Sequence, residues 1–260
     1  MTTLISPYSL GRRFSIKFLA VGQLAILLAL WFIAPASSGI PSPVAILSEW
    51  NRLALTMGLL HELYTSAIVI TQAILLSAIF SMSIAYLTTA DIFKPTGTFV
   101  ASLRFLGFAG LTYLFTLWTS SAHMLKLSLL TFGMTVFLAR SMIDIVKCIP
   151  QSDIDYARSL GLKGWRLTYE TSVRGKLAEM LDMVRQNAAV GWTLLAMVEG
   201  ITRSEGGIGA LLLNQNKYFN LSAVFAIQLT ILAYGILQDV VLRYVRTLLC
   251  PYAELNRSDR

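Results

Sequence analysis

The sequence predicts an all-α, polytopic membrane protein with about six transmembrane helices, and three observations lead there. The 260 residues are 55% hydrophobic and only 13% charged, against about 25% charged in an ordinary soluble domain. Apolar stretches of near-membrane length recur along the chain, and mean hydropathy is +0.64. Lys and Arg collect in alternate connecting pieces, as they do when cations orient a membrane protein. Disorder, a coiled coil and an ordinary soluble enzyme are excluded by composition. The net charge of +7 is spread out with no basic run, so nucleic acid is not the expected partner.

The apolar stretches run over 18–34, 65–88, 98–118, 125–146, 184–201 and 221–242. A bilayer core needs about 20 helical residues. The first stretch follows Arg12, Arg13 and Lys17 and precedes Ala34-Pro35-Ala36-Ser37. It reads as a retained membrane helix, with a cleavable signal peptide as the alternative. The fifth is polar: Arg185, Gln186 and Asn187 open it and Glu199 lies near its far end. Such a helix is expected to face other helices or an aqueous path rather than lipid.

With the N-terminus inside, pieces 1–17, 89–97, 147–183 and 243–260 hold 3, 1, 6 and 4 cations, fourteen in all. The opposite pieces hold four: Arg52, Lys126, Arg203 and Lys217. The expectation is a multi-pass membrane protein with both termini cytoplasmic. A cytoplasmic segment covers 1–17, one transmembrane domain covers 18–242, and a tail covers 243–260. Cys148 and Cys250 then both fall on the reducing side, which disfavours a structural disulfide. With only His61 and His123 as histidines, no Cys/His metal spacing exists.

The longest polar piece, 147–183, carries two short helices and an elbow. Ser152 is placed as an N-cap with Asp155 at its N3 position. Ile154, Ala157 and Leu160 form an apolar edge, and Gly161 supplies the left-handed turn that ends the helix. A second helix starts near Lys163, with Trp165 and Tyr169 at i, i+4. The resulting hairpin, 152–166, has the shape of an element that docks into a partner's groove. Cap residues such as Asp155 and Gly161 serve the fold and the docking with one geometry. Trp165 is either a headgroup-level aromatic or a contact to the partner.

At this hairpin the chain resembles the permease subunits of binding-protein-dependent ABC importers. Their cytoplasmic loop carries Glu-Ala-Ala, three residues, Gly, nine residues, then Ile-x-Leu-Pro. Here Asp155-Tyr156-Ala157, three residues, Gly161 and nine residues lead to Thr171. The run Ala157-Arg158-Ser159-Leu160-Gly161 matches, while Asp155, Tyr156 and Arg174 depart from the pattern. The resemblance is closest to the nitrate, sulfonate, taurine and bicarbonate branch. Leu103-Arg104, Phe115-Thr116-Leu117-Trp118, Lys126, Glu199, Gly207-Ile208-Gly209 and Tyr218-Phe219-Asn220 match that branch in order. Its third-span prolines are replaced by Phe105, Gly107, Phe108 and Tyr113.

The resemblance implies a transport subunit rather than an enzyme. ATP and Mg would be bound by a separate ATPase chain, and no cofactor by this one. Further implied partners are a second permease copy or a paralogue, an extracytoplasmic substrate-binding protein, and lipid. Coupling to the ATPase would fall on Asp155, Tyr156, Ala157, Ser159, Leu160, Gly161 and Trp165. The solute pathway would use Arg104, Phe108, Trp118 and Glu199, and the solute would be a small anion, a sulfonate or a small heterocycle. The rival classes are a polytopic membrane enzyme and an ion-driven transporter. His123, Asp144 and Glu199 fall at different depths, which speaks against an enzyme.

The remaining charges read as local pairs: Arg140 with Asp144 and Asp239 with Arg243, each at i, i+4. Glu199 is either a paired structural charge or a pathway residue, and Arg104 either snorkels or faces the path. Gly206-Gly207-Ile208-Gly209 lacks a following Lys-Ser or Lys-Thr, so it is no Walker loop. It reads as a bend opening a short helix around 210–214. With no proline between Thr98 and Val146, the third span is expected to be straight, with Gly107 and Gly110 its weak points.

Overall fold

The structure, a computed structural model, describes residues 41–251 and a few positions between 21 and 31. The segment 1–17, most of the first stretch and the end of the tail lie outside the described residues. Among the described residues there are only helices and turns. The fold class is therefore all-α, as expected. Three helices are long and apolar enough to cross a membrane. They are α2 (Leu59–Leu87), α5 (Ala122–Lys147) and α10 (Leu221–Leu249). The fifth stretch becomes α8 (Leu177–Ile201), which has the length but carries too many polar residues to pass by composition.

α2 and α5 make the most extensive helix pair in the fold. Ser66, Ile70, Ala73, Ser77, Ser81 and Ala85 form one buried stripe on α2. Their spacing of three or four residues keeps them on one helix face. Small side chains there let two backbones come close. Ser81 Oγ donates across the gap to Thr135 O at 3.2 Å. α8 packs on the same pair, with Asn187 Nδ2 donating to Met134 O at 3.1 Å. A buried amide would cost free energy without that bond, so the polar start of α8 is satisfied by its neighbour. Met134, Leu138, Met142, Val184, Leu195 and Ile227 lie in the shared core.

The contacts give directions. Tyr86, near the end of α2, meets the loop that follows α5, so α2 and α5 run parallel. Asp182 of α8 pairs with Arg246 of α10 at 3.0 Å, so these two run antiparallel. One end of the bundle, the hairpin end, thus carries residues 88–97, 147–176 and the last turns of α10. The opposite end carries Lys126 and the glycine turn 206–209.

α1 (Pro43–Thr56) lies in a piece expected to be a loop. Ser42 caps it, accepting from Ala45 N at 3.3 Å, and Pro43 stands at its first position. Both are sequence-level start signals. Trp50 Nε1 donates to Thr230 Oγ1 at 3.1 Å and ties α1 to α10. Ser121 and Asn220 cap α5 and α10 in the same way as Ser42.

The third stretch is not straight. It divides into α3 (Lys94–Ser102), a tight turn over Leu103–Phe105, and α4 (Phe108–Trp118). The two halves are bent by 115°. Leu106 and Gly107 are extended, with ψ of 128° and 134°. Absent prolines were the wrong signal to weigh. Glycine itself costs helix stability, about 1 kcal/mol against alanine, and packing decides where the chain goes. α3 brings Gly97 against Thr88 and Ile143. α4 instead sets Phe115 against Phe132, with ring centroids 5.7 Å apart.

α9 (Ile208–Lys217) lies against α8 through Gly209. A Cβ at Gly209 would stand 2.6 Å from Ala196 Cα, a backbone atom that has nowhere to go. Gly209→Ala should therefore destabilise the protein by about 1–3 kcal/mol, the usual cost of overpacking. Thermal unfolding in detergent should show a Tm lower by several degrees. An unchanged Tm would mean that α9 does not pack this closely on α8.

Candidate functional site

Two arrangements stand out, one at each end of the bundle. At the hairpin end, α6 (Gln151–Ser159) and α7 (Gly164–Thr168) form the elbow. α6 starts two residues earlier than the sequence indicates. Pro150 holds the cap position with φ −62° and ψ 142°, and Ser152 caps nothing. Proline supplies extended geometry before the first turn, and its carbonyl accepts from Asp153 N at 3.1 Å. Asp155 therefore does not close a capping box. It accepts instead from Gln151 at 3.3 Å and Arg158 at 3.2 Å along its own helix.

The end of α6 follows the sequence reading closely. Gly161 has φ +82°. Leu162 N donates to Ala157 O at 3.3 Å and Gly161 N to Arg158 O at 2.9 Å. That pair of bonds is the Schellman arrangement, in which glycine supplies the left-handed residue. Around the elbow Ala157 is buried, while Tyr156 and Leu160 are 67% and 62% exposed. Ser159 Oγ donates to Tyr156 O at 2.7 Å and stays within the helix. Trp165 is half-exposed, and its other half rests on Tyr86 of α2 with ring centroids 5.1 Å apart. The Tyr86 hydroxyl also donates to Trp165 O at 3.1 Å. The elbow is thus fixed on the bundle by one aromatic pair and presents its apolar tip outward. Nothing local in sequence points to Tyr86, which lies 79 residues away.

Beyond α7 the chain makes one wide π turn, Tyr169–Arg174, and enters α8. Wide turns of this kind recur at functional sites. Here Glu170 pairs with Arg174 at 3.3 Å and Lys176 with Glu179 at 2.8 Å.

At the opposite end Glu199 is fully enclosed, with 0% exposure. Its Oε1 accepts from Ser66 Oγ at 2.7 Å and lies 3.8 Å from Lys126 Nζ. Its Oε2 accepts from Gly209 N at 2.8 Å. The Lys126 ammonium, itself 3% exposed, donates to Gly206 O at 3.1 Å. Ser66 Oγ accepts from Ile208 N at 2.9 Å, and Glu62 accepts from Gly207 N. Four successive residues of one turn are thus each held by a side chain from another helix. The first turn of α9 has its donors capped by two carboxylates and a hydroxyl, as the dipole at a helix start favours.

The turn needs its glycines. Gly206 and Gly207 have φ of +69° and +109°. A Cβ on Gly207 would stand 2.3 Å from the Glu199 carboxyl carbon. Sequence reasoning placed Glu199 and the glycine run separately and missed Glu62 and Ser66. These two are spaced at i, i+4, and that spacing on an otherwise apolar helix was the available signal.

The expected pathway residues do not come together. Arg104 sits in the turn at the break of the third stretch, exposed, with its guanidinium 4.8 Å from the centroid of the Phe105 ring. Trp118 is exposed at the far end of α4. Phe108 opens α4, and its side chain lies outside the described residues. Glu199 faces no open path within the chain. Four cavities lie between the helices, and none of these four is lined by Arg104, Trp118 or Glu199. The local pairs hold: Arg140 with Asp144 at 2.9 Å and Arg243 with Asp239 at 3.0 Å. Comparison of the chain with models of known protein families and with curated proteins finds no match.

Breaking a buried pair leaves a charge without compensation, at a cost of about 3–5 kcal/mol. Lys126→Met should show a loss of that size in unfolding measured in detergent. Glu199→Gln in the same chain should restore part of it, because the stranded charge is gone. Strict additivity of the two substitutions would show that the pair is not coupled.

Proposed function

We propose that this chain is the transmembrane subunit of an ATP-driven ABC-type importer and that the 152–166 hairpin is its coupling element. The observation that supports this reading most is the elbow. A left-handed Gly161 sets two short helices at an angle, with exposed Tyr156 and Leu160 beside it and half-exposed Trp165 across it. This is the geometry of a projecting knob that fits a partner's groove. The order of the matching motifs along the chain supports the same class, as does the gathering of Lys and Arg at the hairpin end.

In this reading ATP is bound and hydrolysed by a separate ATPase chain. Closure of that partner pushes on the elbow. The push has two routes into the bundle: through the Trp165–Tyr86 contact to α2, and through the π turn into α8. Both helices end at the Glu199 turn, so displacement at the hairpin end is carried as rigid-body movement to the other end. Alternating access follows when the two arrangements differ in which end is open. A second permease copy or a paralogue completes the path, and an extracytoplasmic binding protein delivers the solute. No residue of this chain forms a covalent intermediate.

Gly161→Val separates coupling from folding. A Cβ at Gly161 meets nothing within 4 Å, so the substitution disturbs the backbone alone. A β-branched residue in the left-handed region costs about 1 kcal/mol or more. The variant should reach normal levels in the membrane. On purification in mild detergent it should carry severalfold less of a copurifying ATPase chain than the unaltered protein does. Equal amounts of ATPase, or no ATPase with either form, would overturn the assignment.

A further inference from the structure

Two adjoining cavities between α8 and α10 have no part in the coupling described above. The first is a polar cleft of about 580 Å3 at the hairpin end, between Asp182, Arg185, Arg243 and Arg246. The second is an apolar recess of about 450 Å3, farther along the same two helices, walled by Ala188, Trp192, Ile231 and Leu232. Arg185 lines both. Gly235 leaves the recess open, since a Cβ there would come only within 3.9 Å of the Trp192 ring.

The charges around the cleft do not balance. Arg246 has Asp182 at 3.0 Å, and Glu179 has Lys176 at 2.8 Å. Asp239 alone serves two guanidiniums, Arg185 at 3.5 Å and Arg243 at 3.0 Å. Among the described residues one positive charge is left over. The contact of Arg185 with Asp239 also lacks hydrogen-bond geometry. Among the described residues, the buried Nε–H groups of Arg185 and Arg246 meet no acceptor. Each guanidinium has five donors and no acceptor, so these side chains can still take oxygens from a ligand.

A site with surplus positive charge and unmet donors at one end, and an apolar slot at the other, fits an anionic amphiphile. Basic pockets between helices at a membrane surface bind acidic headgroups for this reason. An apolar recess at membrane depth is filled by hydrocarbon, because such a cavity stays dry. We propose that the cleft and the recess form one site for an anionic phospholipid. Its phosphate lies among Arg185, Arg243 and Arg246, and one acyl chain lies beside Trp192, Ile231 and Leu232. The site requires insertion in a membrane but not the transport assignment, so either can fail without the other.

The test is native mass spectrometry of the full chain in detergent, with phosphatidylglycerol or phosphatidylcholine added. Phosphatidylglycerol should be retained in preference to phosphatidylcholine. Arg243→Gln should lower its occupancy about fivefold, the equivalent of about 1 kcal/mol per cation near a headgroup. Arg243→Lys should keep it. Gly235→Leu, which fills the recess without altering any charge, should lower it as well. Equal retention of the two lipids would overturn the proposal, and so would full occupancy in Gly235→Leu. Competition by soluble glycerol phosphate as strong as that by the lipid would point to a free-phosphate site and would equally overturn it.

Discussion

A carboxylate out of reach of water must be matched by a cation and by hydrogen-bond donors where it lies, and Glu199 places that demand on three other pieces of the chain. Ser66 from α2, Lys126 from α5 and the amide of Gly209 answer it directly. Lys126 is then committed to Gly206 O as well, and Ser66 to Ile208 N. Each partner that satisfies Glu199 thereby also takes hold of the turn before α9. An apolar substitute could fill the same volume, and buried ion pairs are in general weak evidence for stability. What the network supplies is definition: one register of α2, α5 and α8 satisfies every group, and neighbouring registers leave charges stranded.

A similar rule acts at several points along α8. Several of its polar residues are met by a neighbour. Asn187 meets Met134 O, Trp192 Nε1 meets Gln238 Oε1 at 2.6 Å, and Asp182 meets Arg246. Polarity that disqualifies α8 as a lone span is what makes it the central strut. It touches α2, α5, α9 and α10. It also joins the elbow at one end to the Glu199 turn at the other. A movement begun at the elbow therefore has a stiff, well-gripped helix to travel along, rather than a chain of loose side-chain contacts.

The elbow itself owes little to the bundle. Its bend comes from left-handed Gly161 and Gly164 and from two backbone hydrogen bonds within the six residues 157–162. Trp165 ties it to α2 through Tyr86. A unit of that kind holds its shape by local bonds, as the proposed coupling role would require. The exposed apolar side chains at its tip are tolerated because they are few and flanked by Asp155, Arg158 and Lys163.

Local and periodic features were legible in the sequence. The spans at α2, α5 and α10 follow from runs of apolar residues. The elbow at Gly161 follows from cap chemistry, and the i, i+4 ion pairs from helix spacing. The helix α1 was also written there, in Ser42 and Pro43, but is amphipathic and too short to draw notice as a span. The tertiary structure decided what depends on residues far apart in sequence. Glu199 could have lined a path or been paired, and the choice depended on Ser66 and Lys126 arriving from two other helices. The third stretch had composition enough for a straight helix, yet contacts to α5 at two separate places bent it by 115°. The Tyr86 hydroxyl that donates to Trp165 O and the shared Asp239 were invisible for the same reason. Hydrophobic periodicity says which face of a helix is buried, whereas only packing says against what.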